Sequence, residues 1–186
     1  MHILPLERVG LFIDGANLHA TARSLDLEID FRRLLSLFRE RGRLIRAMYY
    51  TIMVEDDEEF SSVRPLIDWL DYNGFTTVTK LVRQSTDPDS RRIRSKIDVN
   101  LAVDAMRLQS GLDHLILFSG NGDFTSLVAT LQDLGKRVSV VSTLSTQPAA
   151  VADELRRQAD QFIDIVDLKD DISRLERRTV RPARLR

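Results

Sequence analysis

The stretch Val9-Gly10-Leu11-Phe12-Ile13-Asp14-Gly15-Ala16-Asn17 constrains this chain more than any other. An apolar run without alternation stops on an aspartate, then a glycine, then an asparagine. A half-exposed strand would alternate, so the run reads as a strand covered on both faces, as in a parallel sheet. Its last residue then lies at the carboxyl edge of the sheet, where open α/β folds hold their ligands. Leu115-Ile116-Leu117-Phe118, followed by Ser119-Gly120-Asn121-Gly122-Asp123, repeats the design. Two buried strands thus each deliver a carboxylate to one rim. A third acidic pair, Asp98 and Asp104, lies in Lys96-Ile97-Asp98-Val99-Asn100-Leu101-Ala102-Val103-Asp104.

Apolar patterning and turn residues predict strands over 8–14, 44–53, 75–82, 114–119, 136–142 and 162–165. Helices are predicted over 17–25, 31–41, 58–73, 97–109, 123–134 and 149–159, with Asp30 capping the second, Gly42 ending it, and Gly135 closing the fifth. The segment from Arg83 to Lys96 carries the turn signal Asp87-Pro88-Asp89-Ser90, then Arg91, Arg92, Arg94 and Lys96. It reads as a long, basic, exposed loop or an excursion hairpin. Alternating strands and helices argue for an α/β fold with a mainly parallel sheet. Residues 1–173 are expected to form one domain, and 174–186, with six arginines and little apolar content, a disordered basic tail.

Hydrophobic residues make up 43% of the 186, enough for a real core. The net charge of −1 names no partner, so a nucleic-acid binder of this composition must concentrate its basic residues locally. The absence of cysteine excludes disulfides, thiolate zinc sites and cysteine nucleophiles. No signal peptide and no membrane-spanning apolar run are visible, and the expected location is cytoplasmic, with no membrane partner. The apolar 43–72 region leaves a homodimer open.

Carboxylates at strand ends suit hard cations. Magnesium and manganese take oxygen ligands, and magnesium keeps several waters while using one or two carboxylates. Asp14, Asp98, Asp104 and Asp123 supply that ligand type. One or two such ions would make a bound water a better nucleophile and neutralise charge on a phosphodiester. Each residue also has a plainer role: Asp14 can cap the following helix, and Asp123 can be the cap or first-turn acid of its own. Asp98 and Asp104 are six residues apart, about 120° around a regular helix, so they cannot both face one ion. Asp98, reaching in from a frayed helix start, is the preferred ligand, with Asp104 a neighbour. Asn17 and Ser119 can orient a water or a phosphate oxygen, or satisfy turn backbone. Arg91, Arg92, Arg94 and Lys96, leading into Asp98, are the expected grip on RNA phosphates.

These motifs resemble the NYN domain family, in its LabA-like branch. The resemblance rests on Phe12-Ile13-Asp14-Gly15-Ala16-Asn17, on Lys96-Ile97-Asp98-Val99 with Asp104, and on Ser119-Gly120-Asn121-Gly122-Asp123-Phe124, and runs from about residue 7 to 168. It implies a PIN-like, three-layer α/β/α fold with a mainly parallel central sheet, and a metal-dependent ribonuclease. Asp14, Asp98 and Asp123 would hold Mg²⁺ or Mn²⁺, with Asn17 catalytic alongside them and Ser119 and Asp104 as neighbours. The family's third motif usually reads Ser-Gly-Asp-x-Asp-Phe; here Asn121 stands at the first aspartate, and the site carries one negative charge fewer. Two functions follow: RNA hydrolysis, or a catalytically weakened RNA-binding or regulatory protein on the same fold. A small-molecule phosphatase is disfavoured by the lack of a base-binding or covalent-aspartate motif.

Overall fold

The computed structural model describes residues 2–54, 58–82 and 90–174, with backbone alone at 54, 58–62, 82 and 90–96. Six strands, β1 (Arg8–Asp14), β2 (Arg43–Val54), β3 (Thr76–Val82), β4 (His114–Phe118), β5 (Arg137–Ser142) and β6 (Gln161–Asp164), form one sheet. The order is β3-β2-β1-β4-β5-β6, and every pairing is parallel. Among the described residues seven helices surround it: α1 (Gly15–Ser24), α2 (Phe31–Arg41), α3 (Glu58–Tyr72), α4 (Ser90–Leu108), α5 (Thr125–Asp133), α6 (Asp153–Gln158) and α7 (Lys169–Ile172).

The unbroken apolar runs are explained by two cores. Along β1, Val9, Leu11 and Ile13 enter the core shared with α1, α2 and α3, while Phe12 enters the core shared with α4, α5 and α6. In β4, Ile116 and Phe118 go to the first core, Leu115 and Leu117 to the second. The strand period of two thus splits each run between layers, giving the α/β/α sandwich. The direction in which successive strands are added reverses between β1 and β4. The carboxyl ends of these two strands therefore flank the topological switch point, the crevice where open sheets bind ligands.

Local chemistry sets most boundaries. Asp30 Oδ1 accepts from the backbone N–H groups of Arg32 and Arg33, so α2 starts where the cap predicts, and Gly42 ends it. Gly135, at φ +73°, takes the left-handed turn just beyond α5.

Two expectations are corrected. Residues 90–96 are the first turns of α4, not a loop or hairpin. Between Ser90 and Leu108 there is no glycine or proline, and the straight-chain arginines and lysine are good helix formers, so basic character alone did not mark a loop. Residues 83–89 lie outside the described residues. The helix predicted over 149–159 is confined to Asp153–Gln158, because Ala150 N–H donates to the Thr143 carbonyl and Ala152 N–H to the Gly120 carbonyl. Beyond β6 a 3₁₀ turn (Ile165–Leu168) and α7 return to pack Ile165, Leu168 and Ile172 on the first core. Arg174 N–H then donates to the Glu28 carbonyl; the remainder of the expected tail, 175–186, lies outside the described residues. No helix among the described residues is long and apolar enough to cross a membrane.

At the amino edge of the sheet, Arg8 grips Asp113 through Nε (3.0 Å) and Nη2 (2.7 Å), and its hydrogen bonds hold the Asp113 carboxyl down at about 2. Beside it His114 is fully buried, with Nδ1 3.3 Å from Glu7 Oε2 and Nε2 2.8 Å from Ser139 Oγ. Burial pushes the imidazole below its ordinary 6.5, helped by the Arg137 charge and opposed by Glu7. The unfolded chain therefore takes up this proton more readily than the folded one. The contribution to stability is present above about pH 6.5 and declines as pH falls toward the folded-state value. Melting temperatures of the wild type and His114→Gln, followed from pH 8 down to 5.5, should show a shallower acid decline in the variant; equal slopes would exclude His114 as the source.

Candidate active site

Asp14 ends β1 and caps α1. Its Oδ1 accepts from Asn17 N–H (3.1 Å), its Oδ2 accepts from Ser119 Oγ (2.9 Å), and the residue is only 8% exposed. A carboxylate this far from water needs such donors. Ser119 follows β4 directly, and the register Ile13↔Phe118 sets it beside Asp14. Asn17 returns the connection by accepting from Gly120 N–H through Oδ1 (3.0 Å).

The network continues through Asn121. Its backbone N–H donates to Ser119 Oγ (3.2 Å) and its Nδ2 donates to Asp98 Oδ2 (3.2 Å). Its Oδ1 accepts from Asp123 N–H (3.1 Å), capping the short turn Gly122–Phe124. These partners fix the amide orientation, because the reverse would set oxygen against the Asp98 carboxylate and NH₂ against an N–H. One hydrogen-bonded chain thus runs from Asp14 through Ser119 and Asn121 to Asp98. Asn121, not Asp123, supplies the cap at this turn.

Two glycines are required by close approach. A Cβ on Gly15 would lie 2.7 Å from the Tyr49 hydroxyl, and one on Gly120 would lie 1.7 Å from the Ala150 carbonyl oxygen. The Tyr49 hydroxyl therefore borders the rim. Burial, with the Asp14 charge added, pushes this phenol up to about 12, so it stays neutral.

Asp98 is the ninth residue of α4, so no frayed helix start brings it to the rim; the helix interior does. Asp98 and Asp123 line one groove of about 450 Å³ between α4 and α5, with Val99, Ala102, Met106 and Phe124. Asp123 is exposed. Asp104, further along α4, accepts from Tyr50 Oη (3.2 Å) and pairs with Arg107 (2.7 Å). The backbone of Arg91, Arg92, Arg94 and Lys96 winds through the turns of α4 that precede Asp98; their side chains are outside the description.

The sequence matches the NYN domain family over residues 8–169. The chain is an NYN domain. It is 29% identical over 176 residues to the low amplitude and bright protein LabA of Synechococcus elongatus, covering 92% of this chain and 90% of that one. It is therefore a LabA-like member of the PIN-like nuclease superfamily. A crystal structure of a protein of unknown function from Vibrio parahaemolyticus shares the fold, with a TM-score of 0.73 and 23% identity, over 94% of this chain and all of that one.

As a site for a metal ion, the NYN rim offers the hard oxygen donors that magnesium and manganese prefer. Among the described residues no group of three or more His, Asp or Glu side chains lies close enough together to hold an ion. The donor set fits an ion held by one or two carboxylates, its remaining positions filled by water. Rim geometry depends on the backbone passing at Gly120. Gly120→Ala should lower stability by roughly 1–3 kcal/mol, the usual cost of overpacking against backbone. Thermal denaturation checks this, and an unchanged midpoint would show that the 119–121 turn can shift freely away from Ala150.

Proposed function

We propose that this NYN domain is a metal-dependent ribonuclease that hydrolyses RNA phosphodiester bonds at the Asp14–Asp98–Asp123 rim. The observation that carries the reading is the buried Asp14 carboxylate at the switch point, bonded to Asn17 and Ser119 and joined through Asn121 to Asp98. Bound Mg²⁺ or Mn²⁺ would acidify a water and offset charge on the phosphodiester. Asp14 and Asp98 would hold it, with Asp123 at the exposed side. Asn17 N–H and Ser119 Oγ hold the Asp14 carboxylate in place, since each donates a hydrogen bond to it. Arg91, Arg92, Arg94 and Lys96 would pair with RNA phosphates on the approach to Asp98.

Cleavage of a labelled single-stranded RNA with Mn²⁺, with Mg²⁺ and with EDTA tests this directly. Metal-dependent cutting should fall by at least about 100-fold in Asp14→Asn, on the scale of removing a charge-stabilising group. The variant should melt at or above the wild-type temperature, because an amide oxygen can still cap α1 and carboxylate repulsion is relieved. Undiminished cutting would remove Asp14 from the mechanism.

One observation favours the second reading, an RNA-binding or regulatory protein with a weakened site. The Asn121 amide donates to the same Asp98 carboxylate that would face a cation. An aspartate at 121 would keep the cap but set two carboxylate oxygens together, where a cation is needed between them. Asn121→Asp should therefore melt lower than wild type in EDTA and gain more from Mn²⁺. Each kcal/mol of metal binding moves the midpoint by about 2–4 °C for a domain of this size. Equal responses to Mn²⁺ in both proteins would show that residue 121 does not govern metal retention.

A further inference from the structure

A second cavity among the described residues lies beside the rim, on the opposite face of the sheet from α4. It is a cleft of about 870 Å³ bounded by α1, the segment leading into α2, the first turn of α2, and α3. That volume is within the range of about 300–1,000 Å³ typical of ligand sites. Apolar surface comes from Phe31, Leu66 and Trp69, and cationic groups from Arg23, Arg32 and Arg174, with His19 beside them. The acids present are Glu28 and Asp30, and Asp30 Oδ1 is engaged as the α2 cap. The Arg32 guanidinium lies 5.9 Å from the centre of the Trp69 ring. A planar cation over an indole, flanked by further guanidinium groups, is a surface on which nucleobases stack and phosphates pair.

The cleft adjoins the carboxylate rim through Tyr49. Tyr49 lines it, presses on Gly15 and feels the Asp14 charge. Leu18 and His19, also on its wall, are about one turn of α1 beyond Asp14. The groove on the other side, between α4 and α5, carries Asp98 and Asp123 but no Lys or Arg among its described lining residues. The α1–α3 cleft thus offers a polyanion leaving the rim compensating charge from Arg23, Arg32 and Arg174, on the other face of the sheet from that groove.

We propose that the α1–α3 cleft binds single-stranded RNA, taking the nucleotides that flank the phosphodiester held at the carboxylate rim. This rests on the ribonuclease reading and adds a second, cleavage-independent site to it. Trp69 is the only tryptophan in the chain, so its emission reports on this cleft alone. The full-length protein is titrated in EDTA with a short fluorescein-labelled single-stranded RNA, following anisotropy and Trp69 emission together. RNA should quench Trp69 with the same midpoint as the anisotropy rise. Arg23→Ala/Arg32→Ala should bind about tenfold more weakly, the scale of losing one stacked base, at an unchanged melting temperature. RNA that binds equally well to wild type and variant without altering Trp69 emission would overturn the cleft proposal, leave the ribonuclease reading standing, and assign the cleft to another occupant. Absence of RNA binding in EDTA, together with absence of cutting in Mn²⁺, would overturn both.

Discussion

Everything at the rim depends on the burial of β1. This strand has β2 on one side, β4 on the other and a packed core on each face, so its only polar outlet is its carboxyl end. Asp14 sits there, and a carboxylate so enclosed persists only with donors supplied by neighbours. Asn17 comes from the helix that Asp14 itself caps, and Ser119 comes from β4 through the pairing register. A one-residue slip between β1 and β4 would exchange the two faces, send Ile13 and Phe12 to the wrong cores, and separate Asp14 from Ser119. Core packing and site geometry are therefore set by the same register.

Much of this was legible because it follows from periodicity and turn chemistry. Continuous apolar runs ending in Asp14 and Ser119 revealed a parallel sheet and its rim, and Asp30 and Gly42 bounded α2. Other features depended on distant partners. The basic stretch 90–96 had no apolar face to declare it a helix, yet it continues the helix that Ile97, Leu101 and Ala105 anchor. Residues 149–152 had helical composition but spend their backbone groups on Thr143 and Gly120. Asp98 and Asp104 were correctly seen as incompatible with one focus, while Asp98's place deep inside α4 was hidden by misplacing the helix start. The α1–α3 cleft had no sequence signature, since residues 23, 32, 69 and 174 meet only in the folded chain.

Asn121 shows how one neutral side chain can serve both structure and electrostatics. Its carbonyl oxygen performs the capping that an aspartate would perform, while its amide nitrogen donates to the Asp98 carboxylate. A carboxylate at the same place would make folding and ion binding interdependent. The difference lies in the charge balance of the site and leaves the sheet, the register and the two cores untouched.

The cleft beside the rim is closed by segments from opposite ends of the sequence. Asp30 N–H bonds to the Ile172 carbonyl, Ile29 pairs with Ser173, and Arg33 reaches the Ser173 and Asp170 carbonyls. During synthesis, the strands bearing Asp14 and Ser119 leave the ribosome well before Ser173 and Arg174. A nascent chain can thus assemble its carboxylate rim while the adjoining wall is still missing. Arrival of the 170–174 segment, rather than formation of the strands that carry the rim, is the event that finishes the cleft.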